Sequence, residues 1–82
     1  MTKEEMKAIH SHTLRNRKEI EASKTCGCIS CCGIYPASEV VDYIDEGETA
    51  LCPECSIDAV IGDCIGININ AATLKELNQE FF

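Results

Sequence analysis

Seven of the 82 residues are cysteine, and four of the seven crowd into the stretch CGCISCC, residues 26–32. Cys28 and Cys31 make one C-x-x-C pair, and Cys52 and Cys55 make another, with twenty residues between the pairs. Thiolate sulfur is both a nucleophile and a metal ligand, so such a pattern can serve a metal site, a redox couple, a disulfide framework or an iron–sulfur cluster. Two C-x-x-C pairs at this separation have the spacing of a four-cysteine zinc site. The reason is geometric. Zinc takes four ligands in a tetrahedron, with sulfur ~2.3 Å from the ion. A two-residue gap bends the chain so that both sulfurs of a pair face one point. Gly27 and Gly33 relax the first bend and Pro53 stiffens the second. Catalytic zinc keeps a position open for water or substrate, whereas four thiolates close the site. The expectation is therefore one structural Zn2+ held by Cys28, Cys31, Cys52 and Cys55.

The rival chemistries fit less well. A redox C-x-x-C stands beside a βαβ unit, and none is legible. A disulfide framework leaves one of seven cysteines over and needs an oxidising compartment. A cluster ligated by four thiolates stays as the minor alternative. Register in the first pair has alternatives too. Cys26 or Cys32 can stand in for a neighbour, and Cys32-Gly33 has the Cys-Gly ending of many zinc knuckles. Equal gaps in the two pairs favour Cys31. Cys26, Cys32 and Cys64 are then spare thiols, read as small buried hydrophobes.

A chain this short supports one small domain with a marginal core, and staples are common at this size. Two Phe, two Tyr and no Trp make the interior thinner still. Residues 2 to about 23 read as a helix. Thr2 and Glu5 match a capping box, and Met6, Ile9, Thr13 (through its methyl) and Ile20 form a thin apolar stripe. Residues 25–33 read as a tight turn. VVDYI (40–44) and TALC (49–52) flank DEGE and suggest a β-hairpin; a short helix over residues 38–44, opened by Ser38, competes with it. SIDAVIG after Cys55 fits a short helix or an extended piece. Asn70 can cap a last helix with Leu74, Leu77 and Phe81 on one face. The expected fold is α+β: a small zinc-stapled domain, treble-clef or zinc-ribbon-like, with a β-hairpin and helices at both ends. It divides into a basic helix (1–24) and an acidic four-cysteine body with the C-terminal helix (25–82), one domain overall.

Charge is distributed unevenly. Six of seven basic residues (Lys3, Lys7, Arg15, Arg17, Lys18 and Lys24) precede residue 25, where four acids leave +2. Residues 25–82 carry ten acids against Lys75 alone, or −9. Such a body repels phosphate backbones. The N-terminal stretch is charged throughout, with no apolar signal region, and no apolar run approaches the ~20 residues that cross a bilayer. A cytoplasmic location is expected, where thiols stay reduced.

GCISC followed by YIDEGETALCPECSIDAVIGD resembles a group of small bacterial cytoplasmic zinc-binding proteins of unassigned role. Gly27, Cys28, Cys31, Asp45, Gly47, Thr49, Ala50, Leu51, Cys52, Pro53, Cys55, Ile57, Asp58, Val60, Ile61, Gly62 and Asp63 carry the likeness. It covers roughly residues 25–63, about half of the chain. Ile29 stands where an aromatic is usual, and Cys32 is an addition. The resemblance implies a bound zinc and a treble-clef or zinc-ribbon fold, and names no role.

Other constellations are weaker. His10 and His12, with Asn16 nearby, suggest a nuclease, but residues i and i+2 diverge by about 200° around a helix. Both histidines are expected to face solvent. GIY (33–35) and YID (43–45) echo a nuclease motif without its final glycine or any arginine after Arg17. Asp58 and Asp63 are spaced too far for one helical face; Asp58 is expected to hydrogen-bond backbone near the second zinc turn or to orient a ligand. No catalytic set assembles, so no enzyme is expected. The leading reading is a protein-interaction module that engages a basic partner surface, such as the nucleic-acid-binding face of another protein. Nucleic-acid binding through Lys3, Lys7, Arg15, Arg17 and Lys18 is the alternative, and a small metal-dependent hydrolase ranks last. Docking of the basic helix on the acidic body, within one chain or across a homodimer, is open.

Overall fold

The computed structural model describes all of residues 1–82. At its centre is a three-stranded antiparallel sheet in the order β2-β1-β5, formed by Thr25–Cys28 (β1), Ile34–Pro36 (β2) and Val60–Gly62 (β5). Cys26 lies opposite Tyr35 on one side and Gly62 on the other, and Cys28 lies opposite Val60. The expected hairpin is present as Tyr43–Ile44 (β3) and Thr49–Ala50 (β4), with Tyr43 opposite Ala50. Of the expected turn over 25–33, the first part is strand β1. The competing helix over 38–44 is reduced to a single 3-10 turn, Ala37–Glu39. SIDAVIG resolves to an extended piece that ends in β5.

The N-terminal segment differs from the single helix expected over 2–23. It forms two helices, Lys3–Ser11 (α1) and Arg17–Ala22 (α2). The capping box holds: the Thr2 hydroxyl accepts from the Glu5 N–H and the Glu5 carboxylate accepts from the Thr2 N–H. The break between the helices has a tertiary cause. The Arg15 N–H donates to Thr49 Oγ1 and the Arg17 N–H to the Glu48 carbonyl, so the backbone turns to β4 for its partners. Arg15 takes a left-handed conformation, φ 48°. Buried Asn16 bridges the two sheets: its amide nitrogen donates to the Val60 carbonyl at 2.7 Å and its oxygen accepts from the Ala50 N–H at 3.0 Å. Met6, Ile9, Thr13 and Ile20 are buried as the apolar stripe implied, despite the break.

The last helix, Ala71–Phe81 (α3), starts at Asn70, whose side chain accepts from the Thr73 N–H. Leu74 and Leu77 are fully buried and Phe81 packs at the core margin. Close approach of α3 to β1 explains Gly27. A Cβ there would come within 2.9 Å of Ile69 Cγ2 and Leu74 Cδ1, so a larger residue would push the helix away. No helix is long and apolar enough to cross a membrane.

Asn16→Ala should destabilise the metal-loaded protein by about 2–4 kcal/mol, because it strands a buried carbonyl and a buried N–H. A lower urea midpoint with an unchanged slope would show this; an unchanged midpoint would refute the bridge.

Candidate metal centre

The sulfurs of Cys28, Cys31, Cys52 and Cys55 lie within 4.8 Å of one another. Cys28 Sγ is 3.6 Å from Cys55 Sγ, and Cys31 Sγ is 3.7 Å from Cys52 Sγ. A tetrahedron with metal–sulfur bonds of ~2.3 Å has sulfur–sulfur edges of about 3.8 Å. The four cysteines are thus positioned to bind one metal ion.

Two bends of one construction deliver them. In the first, the Cys28 N–H donates to the Gly33 carbonyl at 3.0 Å and the Cys32 N–H to the Cys28 carbonyl at 2.8 Å. In the second, the Cys52 N–H donates to the Ile57 carbonyl at 3.0 Å and the Ser56 N–H to the Cys52 carbonyl at 2.9 Å. Backbone N–H groups also point at sulfur: Ser30 at Cys28, and Glu54 and Cys55 at Cys52, each at 3.4 Å. Such donors stabilise thiolate. The first bend sits between β1 and β2 and the second between β4 and β5. Pairing of β1 with β5, extended by the Ile29 N–H bond to the Ala59 carbonyl, draws the bends together.

The repeated geometry explains why Cys31, and not Cys32, joins the cluster. Cys32 occupies the left-handed position of the first bend, φ 62°, as Ser56 does in the second, φ 65°. Glycine is favoured there for want of a Cβ. A Cβ on Gly33 would meet the end of the exposed Glu54 side chain and come within 3.3 Å of Cys31 Sγ.

Burial pushes the free Cys28 and Cys31 thiols up from the ordinary range. Cys52 behaves differently. Burial opposes its ionisation, but the Tyr35 hydroxyl, the Cys55 and Glu54 N–H groups and Cys31 outweigh that and bring it down to about 7. Tyr35 is buried, and its hydroxyl is the one buried side-chain polar atom without a hydrogen-bond partner. It is nonetheless close enough to Cys52 to act on its charge, while burial and the neighbouring sulfurs keep the phenol protonated. An orphaned donor beside a sulfur cluster is what a metal-bound thiolate would satisfy, so the residues fit a cation held by thiolates. From the other side, the Asn78 amide donates to the Ile29 and Ser30 carbonyls at 3.1 and 2.9 Å and holds the first bend against α3.

The remaining candidates lie elsewhere. His10 stacks on Phe81, and half-buried His12 pairs with Glu19 at 2.9 Å, so the expectation that both simply face solvent is revised. Cys26 is buried, and burial with Asp63 and Cys64 nearby raises its thiol to about 11. Cys32 is half-buried and Cys64 exposed, its thiol donating to the Glu19 carbonyl, so the buried-hydrophobe reading holds for Cys26 alone. Asp58 is exposed and makes neither the backbone bond nor the ligand contact expected of it; Asp63 instead accepts from the Lys24 N–H. Tyr35 and Asn78 escaped the sequence reading. The only local sign of Asn78 is an amide beside the apolar positions Leu74 and Leu77. No protein-family model, curated protein or solved structure matches this chain.

Cys32→Gly should leave one metal per chain and shift stability by less than about 1 kcal/mol, since glycine suits that conformation. Cys31→Ser should lose the four-sulfur charge-transfer spectrum of the cobalt-substituted protein. The opposite outcome would move the ligand to Cys32. Tyr35→Phe should weaken metal retention on the order of tenfold, measured by competition with a chromophoric chelator; equal retention would remove Tyr35 from the site.

Proposed function

We propose that this protein is a structural-zinc module that binds a partner protein through a basic surface on that partner. Zinc suits a closed set of four thiolates in a tetrahedron, and such a site stabilises a fold instead of activating water. The observation that carries the interaction reading is the state of the acidic body. Of the ten acids in residues 25–82, only Glu76 enters an ion pair, with the Met1 amino group. The other two pairs, His12–Glu19 and Arg17–Glu21, lie within the first 24 residues. The basic segment therefore does not neutralise the body. Thiolate ligation deepens the charge, because four thiolates and one Zn2+ add a net −2. A surface of this kind favours encounter with a cationic partner.

Nucleic-acid binding is the second reading. Lys3, Lys7, Arg15 and Lys18 make no ion pair within the chain, which favours it. Arg17 contributes less, being engaged with Glu21, the Gly47 carbonyl and the Tyr43 ring. The break between α1 and α2 also divides the basic residues. A gel-shift series against salt tests this; no shift at low salt removes it.

Native mass spectrometry should find one zinc per chain, and a strong chelator should abolish cooperative thermal unfolding. Cys52→Ser should largely unfold the domain while His12→Ala stays folded. A compact, metal-free protein indifferent to chelator would overturn the metal reading. A pull-down in moderate salt should recover a specific basic protein; recovering none sinks the partner reading.

A further inference from the structure

The metal site supports a second feature beside it. Three large apolar side chains, Leu14, Ile57 and Phe82, are 58 %, 41 % and 61 % exposed and line one groove of about 420 Å3. His10 and Asp58 complete its rim. The volume falls in the range of pockets that bury a ligand group, and clustered exposed apolar groups mark interaction sites more than scattered ones do.

Backbone hydrogen bonds tie down the segment 57–59 that lines this groove. The Ile57 carbonyl is held by the Cys52 N–H, and the Ala59 carbonyl by the Ile29 N–H. Residues 57 and 58 are thus clamped between a metal-binding bend and a strand, with both side chains exposed. Little order would be lost when a partner seats there. The charge at the rim selects the occupant. Asp58 is the one acidic side chain that lines the groove, and it has no ion pair within the chain. A second copy would bring the same net −7 against this face, which like-charge repulsion disfavours.

We propose that the groove of Leu14, Ile57 and Phe82 receives a partner segment that inserts one large apolar side chain and sets an adjacent Arg or Lys on Asp58. This rests on the interaction reading and gives that reading a place on the molecule. The apolar side chain supplies the anchor, as buried side chains do at interface centres, and Asp58 sets the preference for a cation beside it.

The test is selection of a random dodecapeptide phage library on the full-length, zinc-loaded protein, followed by titration of the enriched peptides. Enriched sequences should carry a large apolar residue next to Arg or Lys. Leu14→Glu and Ile57→Glu should each weaken their binding at least tenfold. Asp58→Asn should weaken it several-fold and flatten its salt dependence. All three variants should still bind one zinc and melt as the parent does, because the altered side chains are exposed. Enrichment of peptides lacking either feature, no enrichment, or binding that ignores Leu14→Glu and Ile57→Glu would overturn the proposal. Self-association abolished by Ile57→Glu would overturn it too, by showing a second copy in the groove. If a basic protein recovered by pull-down binds Leu14→Glu and Ile57→Glu undiminished, the groove fails while the interaction reading stands.

Discussion

Four sulfurs meeting at one point are the constraint around which this molecule is arranged. Each bend turns its own N–H groups toward sulfur, and each closes with the same pair of backbone hydrogen bonds. The first bend closes the hairpin β1-β2 and the second links β4 to β5, so joining them fixes the sheet β2-β1-β5 relative to the hairpin β3-β4. A core that counts Cys26, Cys28 and Cys52 among its fifteen buried members is a thin one. In such a core, an ion bound by the four cysteines would add its binding free energy directly to folding.

The rest of the chain supports that junction from three sides. Tyr35 brings a buried hydroxyl to the sulfurs from β2. Asn78 holds two carbonyls of the first bend from α3. Asn16 ties β4 to β5, the two strands that flank the second bend. Asn16 and Tyr35 place polar groups in a buried interior, where leaving them unpaired is costly, and Asn78 is half-buried. Their identities are therefore set by the site and not by the elements they sit on.

What could be read from the chain alone follows the range of the interactions. The cysteine pairs, the capping box at Thr2 and the cap at Asn70 are local patterns, and each appears where its spacing put it. The hairpin around DEGE was legible for the same reason. The division of the N-terminal helix was not, because its cause is Arg15, Asn16 and Arg17 reaching distant partners at Thr49, Ala50, Val60 and Glu48. Cys32 is instructive in another way. Its type made it a ligand candidate, and only its backbone angle, matched by Ser56, places it on the wrong side of the bend. Asp58 was misassigned because its carboxylate meets nothing within the chain. Composition could not distinguish that from a carboxylate bound to backbone.

Asn78 carries one further implication. Its single amide is shared between two carbonyls of the bend that presents Cys28 and Cys31, so the seating of the terminal helix is tied to the shape of that sulfur-bearing bend. By reciprocity, an ion bound at the four sulfurs would be held more tightly by the same factor by which it steadied that helix. A molecule that seized the carboxyl end of this chain would then act at a distance on the affinity for such an ion, without touching a single thiolate.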